Sequence, residues 1–156
     1  KKDWAFVVDG KMALHYQYFA GATGSKFIVA LRDEKKILGV RCGKCAKTFI
    51  PPRQTCERCF GDLTNALVEL EPTGEVTGFT TIRYSEPYQP TKPPYILALI
   101  KLDGADTPIV HILDCGNLPN AKIGMRVQAV FSNERKDNIL EISHFGPQMQ
   151  KHSTDL

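Results

Sequence analysis

The sequence predicts a mainly β protein, and three observations carry that reading. Four cysteines arrive as two CxxC pairs, Cys42 with Cys45 and Cys56 with Cys59, with ten residues between the pairs. Short segments of alternating apolar and polar residues then follow one another from residue 75 to residue 145, separated by turn-rich stretches. No helix-length segment lies between them, which disfavours a parallel α/β sheet, whose crossovers need about a dozen residues or more.

The cysteine spacing is that of two metal knuckles facing each other across a short hairpin. Each CxxC turn aims two sulfurs at one point, and its backbone N–H groups hydrogen-bond to them. Four thiolates in a closed tetrahedron suit zinc; iron is the alternative such a site also accepts. Paired disulfides are the competing reading, but a matched double CxxC rarely arises from packing alone. A closed site has no open position for a reacting water, so the metal should hold the fold rather than do chemistry. Gly43 and Gly61 suit the knuckles as residues that tolerate positive φ. A strand from Lys36 to Val40 should enter the first knuckle, and Ala46 to Ile50 should leave it. Pro51 and Pro52 end that strand because neither can donate to a ladder. Asn65 to Glu71 then closes a zinc ribbon over residues 36–72, a module too small to fold without its metal.

Beyond Pro72, Thr73 and Gly74 the candidate strands are Glu75 to Ser85, Tyr95 to Asp103, Pro108 to Asp114, Met125 to Ser132 and Asn138 to Phe145. Alternation at Val76, Gly78, Thr80, Ile82 and Tyr84 marks one face of the first. Five such strands fit a small closed barrel of the OB type over residues 73–147, followed by a polar, flexible tail at 148–156. Residues 1–35 read as a helical arm. Trp4 to Val8 is apolar, and Met12, Tyr16, Phe19 and Ala20 set a helical period from about Lys11 to Ala20. Gly21, Thr23, Gly24 and Ser25 should break it, with Ser25 capping a second helix that carries Phe27, Ile28, Leu31 and Arg32. The arm's aromatic side chains must be buried on its own domains or on a partner.

At 156 residues, with 42% hydrophobic and 24% charged, the chain can build an ordinary globular core. Its longest apolar run, Tyr95 to Ile100, is far short of a membrane span, and no basic-then-apolar leader opens the sequence, so no membrane is expected. Five cysteines, four committed to metal, point to a reducing compartment, the cytoplasm. Net charge is +3. Residues 1–78 carry twelve basic and nine acidic side chains against eight of each in residues 79–156, so the barrel is neutral. That counts against nucleic acid as the partner, since strand-binding barrels present basic grooves.

With both halves placed, the chain resembles the acyl-CoA-associated family that joins a rubredoxin-like zinc ribbon to an OB-fold after a helical arm. The resemblance rests on Ile37 to Arg41, the two CxxC pairs, Pro51-Pro52-Arg53, Gly74 to Thr80, Pro94 to Leu102 and Ile123 to Val127, and it spans roughly Phe27 to Phe145. It implies a non-catalytic subunit of a thiolase-fold or related CoA-thioester enzyme. Members accompany acetoacetyl-CoA thiolase and hydroxymethylglutaryl-CoA synthase, steroid side-chain aldolases and hydratases, and the benzoylsuccinyl-CoA thiolase of toluene degradation. Expected partners are therefore a thiolase-fold subunit and an acyl-CoA, in degradation of aromatic or other acyl-CoA intermediates.

Candidate contacts follow from charge and loop chemistry. Arg41, Lys44, Lys47, Arg53 and Arg58 lie within the ribbon with only Glu57 opposing. Such groups hold the phosphates of CoA, although a solvated surface with internal ion pairs explains them equally well. Arg53 stands out because Pro51 and Pro52 fix its launch point and the resemblance marks the same tripeptide. The loop Glu86 to Pro94 contains four prolines and, with Tyr84, Tyr88 and Tyr95, makes an aromatic rim where OB barrels take ligands. No catalytic set emerges. Cys115 is a lone thiol at a strand end, and His15, His111, His144 and His152 lie apart, with His111 and His144 in strands that could share a barrel face. A nucleic-acid-binding ribbon and barrel is the alternative function; an independent zinc enzyme is disfavoured by the closed site.

Overall fold

The computed structural model describes residues 8–10, 12, 14 and 16–148. Of the tail expected at 148–156, residues 149–156 lie outside the described residues, as does most of the Trp4 to Val8 run. So does part of the helix expected from Lys11 to Ala20; its residues 16–20 are described and are not helical. The first helix, α1 (Gly21–Val29), starts where a break was expected and runs into a π-helical turn at Ala30–Glu34. Burial outweighs the poor helix propensity of its two glycines: Thr23, Phe27, Ala30 and Leu31 all face the interior. Ser25 lies inside this helix and caps nothing.

Three short strands follow, β1 (Ile37–Arg41), β2 (Thr48–Phe49) and β3 (Leu67–Leu70), as an antiparallel sheet in the order β2-β1-β3. The register sets Val40 opposite Phe49 and Ile37 opposite Leu70. The remaining strands are β4 (Thr73–Ile82), β5 (Tyr95–Leu102), β6 (Ile109–Leu113), β7 (Arg126–Phe131) and β8 (Ile142–Pro147). They close a barrel in the order β4-β5-β6-β8-β7, the OB arrangement, with β6 and β8 parallel and the other neighbours antiparallel.

The alternation expected along β4 holds only as far as Val76. A bulge between Val76 and Gly78 shifts the register by one residue. Gly74 and Val76 oppose the buried Leu102 and Ile100, whereas beyond the bulge it is Phe79 and Thr81 that oppose the buried Ala98 and Ile96. Gly78, Thr80 and Ile82 therefore belong to the other face, because one extra residue inverts a period of two. Gly74 itself sits where the strands come closest: a Cβ there would lie 2.5 Å from the Lys101 carbonyl oxygen and 2.9 Å from the Leu102 Cα. Those are backbone atoms inside a paired strand and cannot swing aside. Gly74→Ala should therefore lower stability by about 2–3 kcal/mol, the upper range for overpacking, read as a fall in the urea midpoint with unchanged slope; an unchanged midpoint would refute the close approach.

One apolar core joins helix, ribbon and barrel: Phe27, Leu31, Ile37 and Leu70 share it with Val76, Ile100 and Phe145. A smaller core under the knuckles holds Val40, Phe49, Cys42, Cys56 and Leu63. Polar fastenings reinforce the joint. The Thr48 N–H donates to Asp106 Oδ2 at 2.8 Å, and Lys47 Nζ pairs with Asp106 Oδ1 at 2.7 Å. Thr107 Oγ1 accepts from the Ile50 N–H at 2.9 Å and donates to the Ile50 carbonyl at 3.0 Å.

Glu141 is also fully buried. Its carboxylate accepts from the N–H groups of Lys136 at 2.7 Å and Asp137 at 2.8 Å, and pairs with Lys35 Nζ at 3.3 Å. The Lys136 N–H is the largest cause that holds this carboxyl below its ordinary value of 4.5. A depressed folded pKa means stability that is present above the unfolded value and lost as pH falls through the folded one. Glu141→Gln should lower the melting temperature by several degrees near neutral pH, and the gap to the wild type should narrow as pH falls below about 4.5. A gap independent of pH would contradict this assignment.

Candidate metal centre and its surroundings

The two knuckles are built on short turns at residues 43–45 and 57–59. β1 delivers Cys42, whose N–H donates to the Lys47 carbonyl at 2.8 Å, and the return loop delivers Cys56, whose N–H donates to the Gly61 carbonyl at 2.9 Å. In each knuckle the left-handed residue follows the second cysteine: Ala46 at φ 55° and Phe60 at φ 56°. Gly43 and Gly61 have no positive φ, contrary to expectation, and the strain falls on residues with side chains.

The sulfurs of Cys42, Cys45, Cys56 and Cys59 all lie within 4.8 Å of one another, with Cys42 and Cys59 at 3.5 Å. Four sulfurs at the usual zinc–sulfur length stand about 3.8 Å apart, so this donor set fits a tetrahedral metal ion. All five cysteines are free of disulfides. The Cys45 N–H donates to Cys42 Sγ at 3.4 Å, the main reason that thiol is drawn down to about 6. Cys45 is pushed up to about 12, chiefly by the neighbouring Cys59 sulfur. One thiolate forms readily and the next is resisted, which is how a cluster of like charges behaves until a cation neutralises it. Every sulfur is committed, so the centre offers a closed structural site with no position for substrate.

The basic residues around the centre divide. Lys47 is neutralised by Asp106, a barrel residue, and Arg53 pairs through Nη1 with Glu57 while its guanidinium stacks 5.0 Å above the Phe49 ring. Arg41 donates to Thr48 Oγ1 at 3.3 Å. Arg41, Lys44 and Arg58 are exposed and make no ion pair among the described residues. Pro51 is exposed and Pro52 half-buried in the bend ahead of Arg53.

The three tyrosines separate as well. Tyr84 and Tyr88 project into solvent, whereas Tyr95 lines a cleft of about 490 Å³ between the proline-rich loop and the ends of β6 and β8. Lys92, Cys115, Lys136 and His144 line the same cleft. Cys115 donates to the Asn117 carbonyl at 3.2 Å, and burial raises its pKa, which favours the neutral thiol. His111 is buried, stacks edge-on to Phe145 at 5.5 Å and has its Nε2 3.3 Å from the Ile139 carbonyl oxygen. Desolvation lowers its pKa, which marks it as a core histidine. Asp106 and Glu141 escaped sequence reasoning; each acts across a long sequence separation, and no local pattern announces that.

A ribbon clipped by four cysteines, packed on a five-stranded closed barrel, defines a zinc-ribbon OB-fold protein. The rubredoxin-like zinc-ribbon domain of ChsH2 matches residues 30–64, and the C-terminal OB-fold domain of ChsH2 matches residues 67–132. The chain belongs to this ChsH2-like family, which joins the two domains in that order. A DUF35 domain-containing scaffold protein of Methanocaldococcus jannaschii is 26% identical over 107 residues, covering 69% of this chain and 75% of the relative. A DUF35-family protein of unknown function from Sulfolobus solfataricus superposes with a TM-score of 0.57 at 26% identity, covering 70% of this chain and 78% of that one. The Ltp2-ChsH2(DUF35) aldolase shares the fold, with a TM-score of 0.59 at 22% identity over 79% of this chain and 93% of the matched one. Among the described residues no helix is long and apolar enough to cross a membrane.

Proposed function

We propose that this chain is a non-catalytic accessory subunit that docks on a thiolase-fold CoA-thioester enzyme and supports its handling of an acyl-CoA. The observation that carries this reading is the arm ahead of α1. Val8, Met12, Leu14, Tyr16, Tyr18 and Phe19 are each between 75% and 88% exposed. So much apolar surface on one continuous segment is what a chain presents to another protein. Phe60, at the tip of the second knuckle, adds to it.

Three further points support the reading. The metal site is closed, and Cys115 is a half-buried thiol whose pKa burial raises. The archaeal relative is named as a scaffold, and the aldolase neighbour is a two-component assembly, Ltp2 with ChsH2. The unpaired Arg41, Lys44 and Arg58, with the exposed Tyr84 and Tyr88, are proposed as partner or CoA contacts. The proposed organisation is an arm at 1–35, a ribbon at 36–72, a barrel at 73–147 and a tail at 148–156, in a cytoplasmic protein.

Its mechanism is positional: a partner that orders active-site loops changes rate by fixing geometry. The test is the thiolase-fold enzyme's kcat/KM for its acyl-CoA with and without this chain. A loss of at least about tenfold on omission is expected; equal values would remove the accessory role.

A further inference from the structure

The cleft beside Tyr95 is bordered, among the described residues, by the barrel alone; at about 490 Å³ it lies within the range of roughly 300–1,000 Å³ usual for ligand sites. It opens where the barrel is least tightly closed. β6 pairs with β5 at five register positions but with β8 at one, Leu113 opposite Phe145. Just ahead of that pair the Ile112 N–H donates to the His111 ring at 2.9 Å, so it makes no bond across the seam. On the facing strand Ser143 is the extra residue of a bulge, since His144 pairs with Val130 and Ile142 with Phe131. Bulges re-aim side chains and are common next to functional sites, and Ile112, Ser143 and His144 all border this cleft.

The chemistry of the cleft is two-sided. Buried Ile96 and Leu113, with half-buried Leu118 and Leu140, give it apolar walls. Lys92 and Lys136, both exposed, supply its charge. Among the described residues the one carboxylate that borders it, Asp114, accepts from the Gly116 N–H at 2.9 Å within its own turn. Lys92 makes no ion pair among the described residues, and Pro90 and Pro94 stiffen the loop on either side of it. Lys136 is held at its backbone, where its N–H donates to the buried Glu141 carboxylate at 2.7 Å. Its ammonium reaches Glu134, a side chain 80% exposed, and such a surface pair is displaced at little cost.

We propose that this cleft docks an extended acidic segment of a second protein, with its carboxylates on Lys92 and Lys136 and a neighbouring apolar side chain against Leu118 and Leu140. Charge complementarity selects the acid: two cations and an aspartate engaged in its own turn leave a net positive rim. An extended chain supplies the apolar group as well, since its successive side chains point to opposite sides. A nucleic-acid strand is disfavoured. Among the described residues no arginine borders the cleft, and Tyr95 is its one Phe, Tyr or Trp. The inference goes beyond the accessory role and does not rest on it.

Selection of a phage-displayed random heptapeptide library on the full-length, zinc-loaded chain tests this. Selected peptides should be enriched in aspartate or glutamate beside an apolar residue. The peptide selected most often, made synthetically, should shift the backbone amide resonances of residues 112–118 and 143–144. Its affinity should fall at least about tenfold when its acids are replaced by their amides, and by a similar factor against the double variant Lys92→Glu, Lys136→Glu, where like charges meet. Thr91→Trp, at an exposed position that borders the cleft, should block binding without adding charge. Both variants should keep the wild-type melting temperature and zinc content, because all three side chains are exposed. Selection without acidic enrichment, resonance shifts confined to other surfaces, or affinities that both variants leave unchanged would overturn the site. Hexanoate that binds as tightly as the peptide would make it a small-acid site, and oligo-dT that binds more tightly would make it a strand site; either result overturns the peptide assignment. A chain that assembles with a thiolase-fold enzyme but selects no acidic peptide loses this site alone, and one that selects the peptide but assembles with no such enzyme keeps the site and loses the accessory role.

Discussion

Cys56→Ser should strip the protein of its metal and unfold the knuckle end of the ribbon while the barrel stays folded. Cys56 is fully buried in the smaller core, which it shares with Cys42, Val40, Phe49 and Leu63. Structural zinc contributes about 10–16 kcal/mol of apparent binding free energy in isolated fingers, comparable with the whole stability of a domain at about 5–15 kcal/mol. Around Val40, Phe49 and Leu63 there is too little apolar area to replace it. Ile37, Ile50 and Leu70, in contrast, are buried in the larger core with Val76 and Ile100. Hydrogen exchange should therefore show lost protection over residues 42–64 and retained protection in β5 to β8. Retained zinc stoichiometry, or unchanged protection across the knuckles, would contradict the metal's structural role.

Removal of residues 1–20 should leave the ribbon and barrel folded and weaken association with the partner enzyme at least about a hundredfold. The described side chains of that segment lie in solvent and outside both cores, so the fold does not depend on them. Tyr16 and Tyr18 stand 6.1 Å apart, a tilted aromatic pair of the kind that anchors interfaces. Two hot-spot residues at about 1.4 kcal/mol or more each multiply to that factor. A smaller change, Tyr16→Ala with Tyr18→Ala, should weaken binding at least about tenfold. Truncated protein that assembles with undiminished affinity would place the interface elsewhere, and a truncated protein that fails to fold would show the arm to be structural.

How much of this was legible depended on whether the deciding contact was local. The cysteine pairs announced the metal site, because zinc demands a donor set that spacing alone encodes. The five barrel strands were legible from period-two alternation and turn residues. β4 shows the limit: its sequence alternates smoothly through the bulge, and only pairing with β5 reveals that the inward face changes after Val76. Gly21 to Ser25 read as a break because local propensity disfavours a helix there, whereas the burial of Phe27 and Leu31 decides otherwise. The basic patch was legible as residues and overstated as charge, since Asp106, 59 positions after Lys47, could not be seen to oppose it.

The most direct test of the account is a gentle tagged purification of this chain from its own cells, with mass spectrometry of the co-eluting proteins and absorbance for bound nucleic acid. The account predicts a near-stoichiometric thiolase-fold enzyme and no nucleic acid. Nucleic acid in place of such an enzyme would contradict it and make the barrel a strand-binding surface.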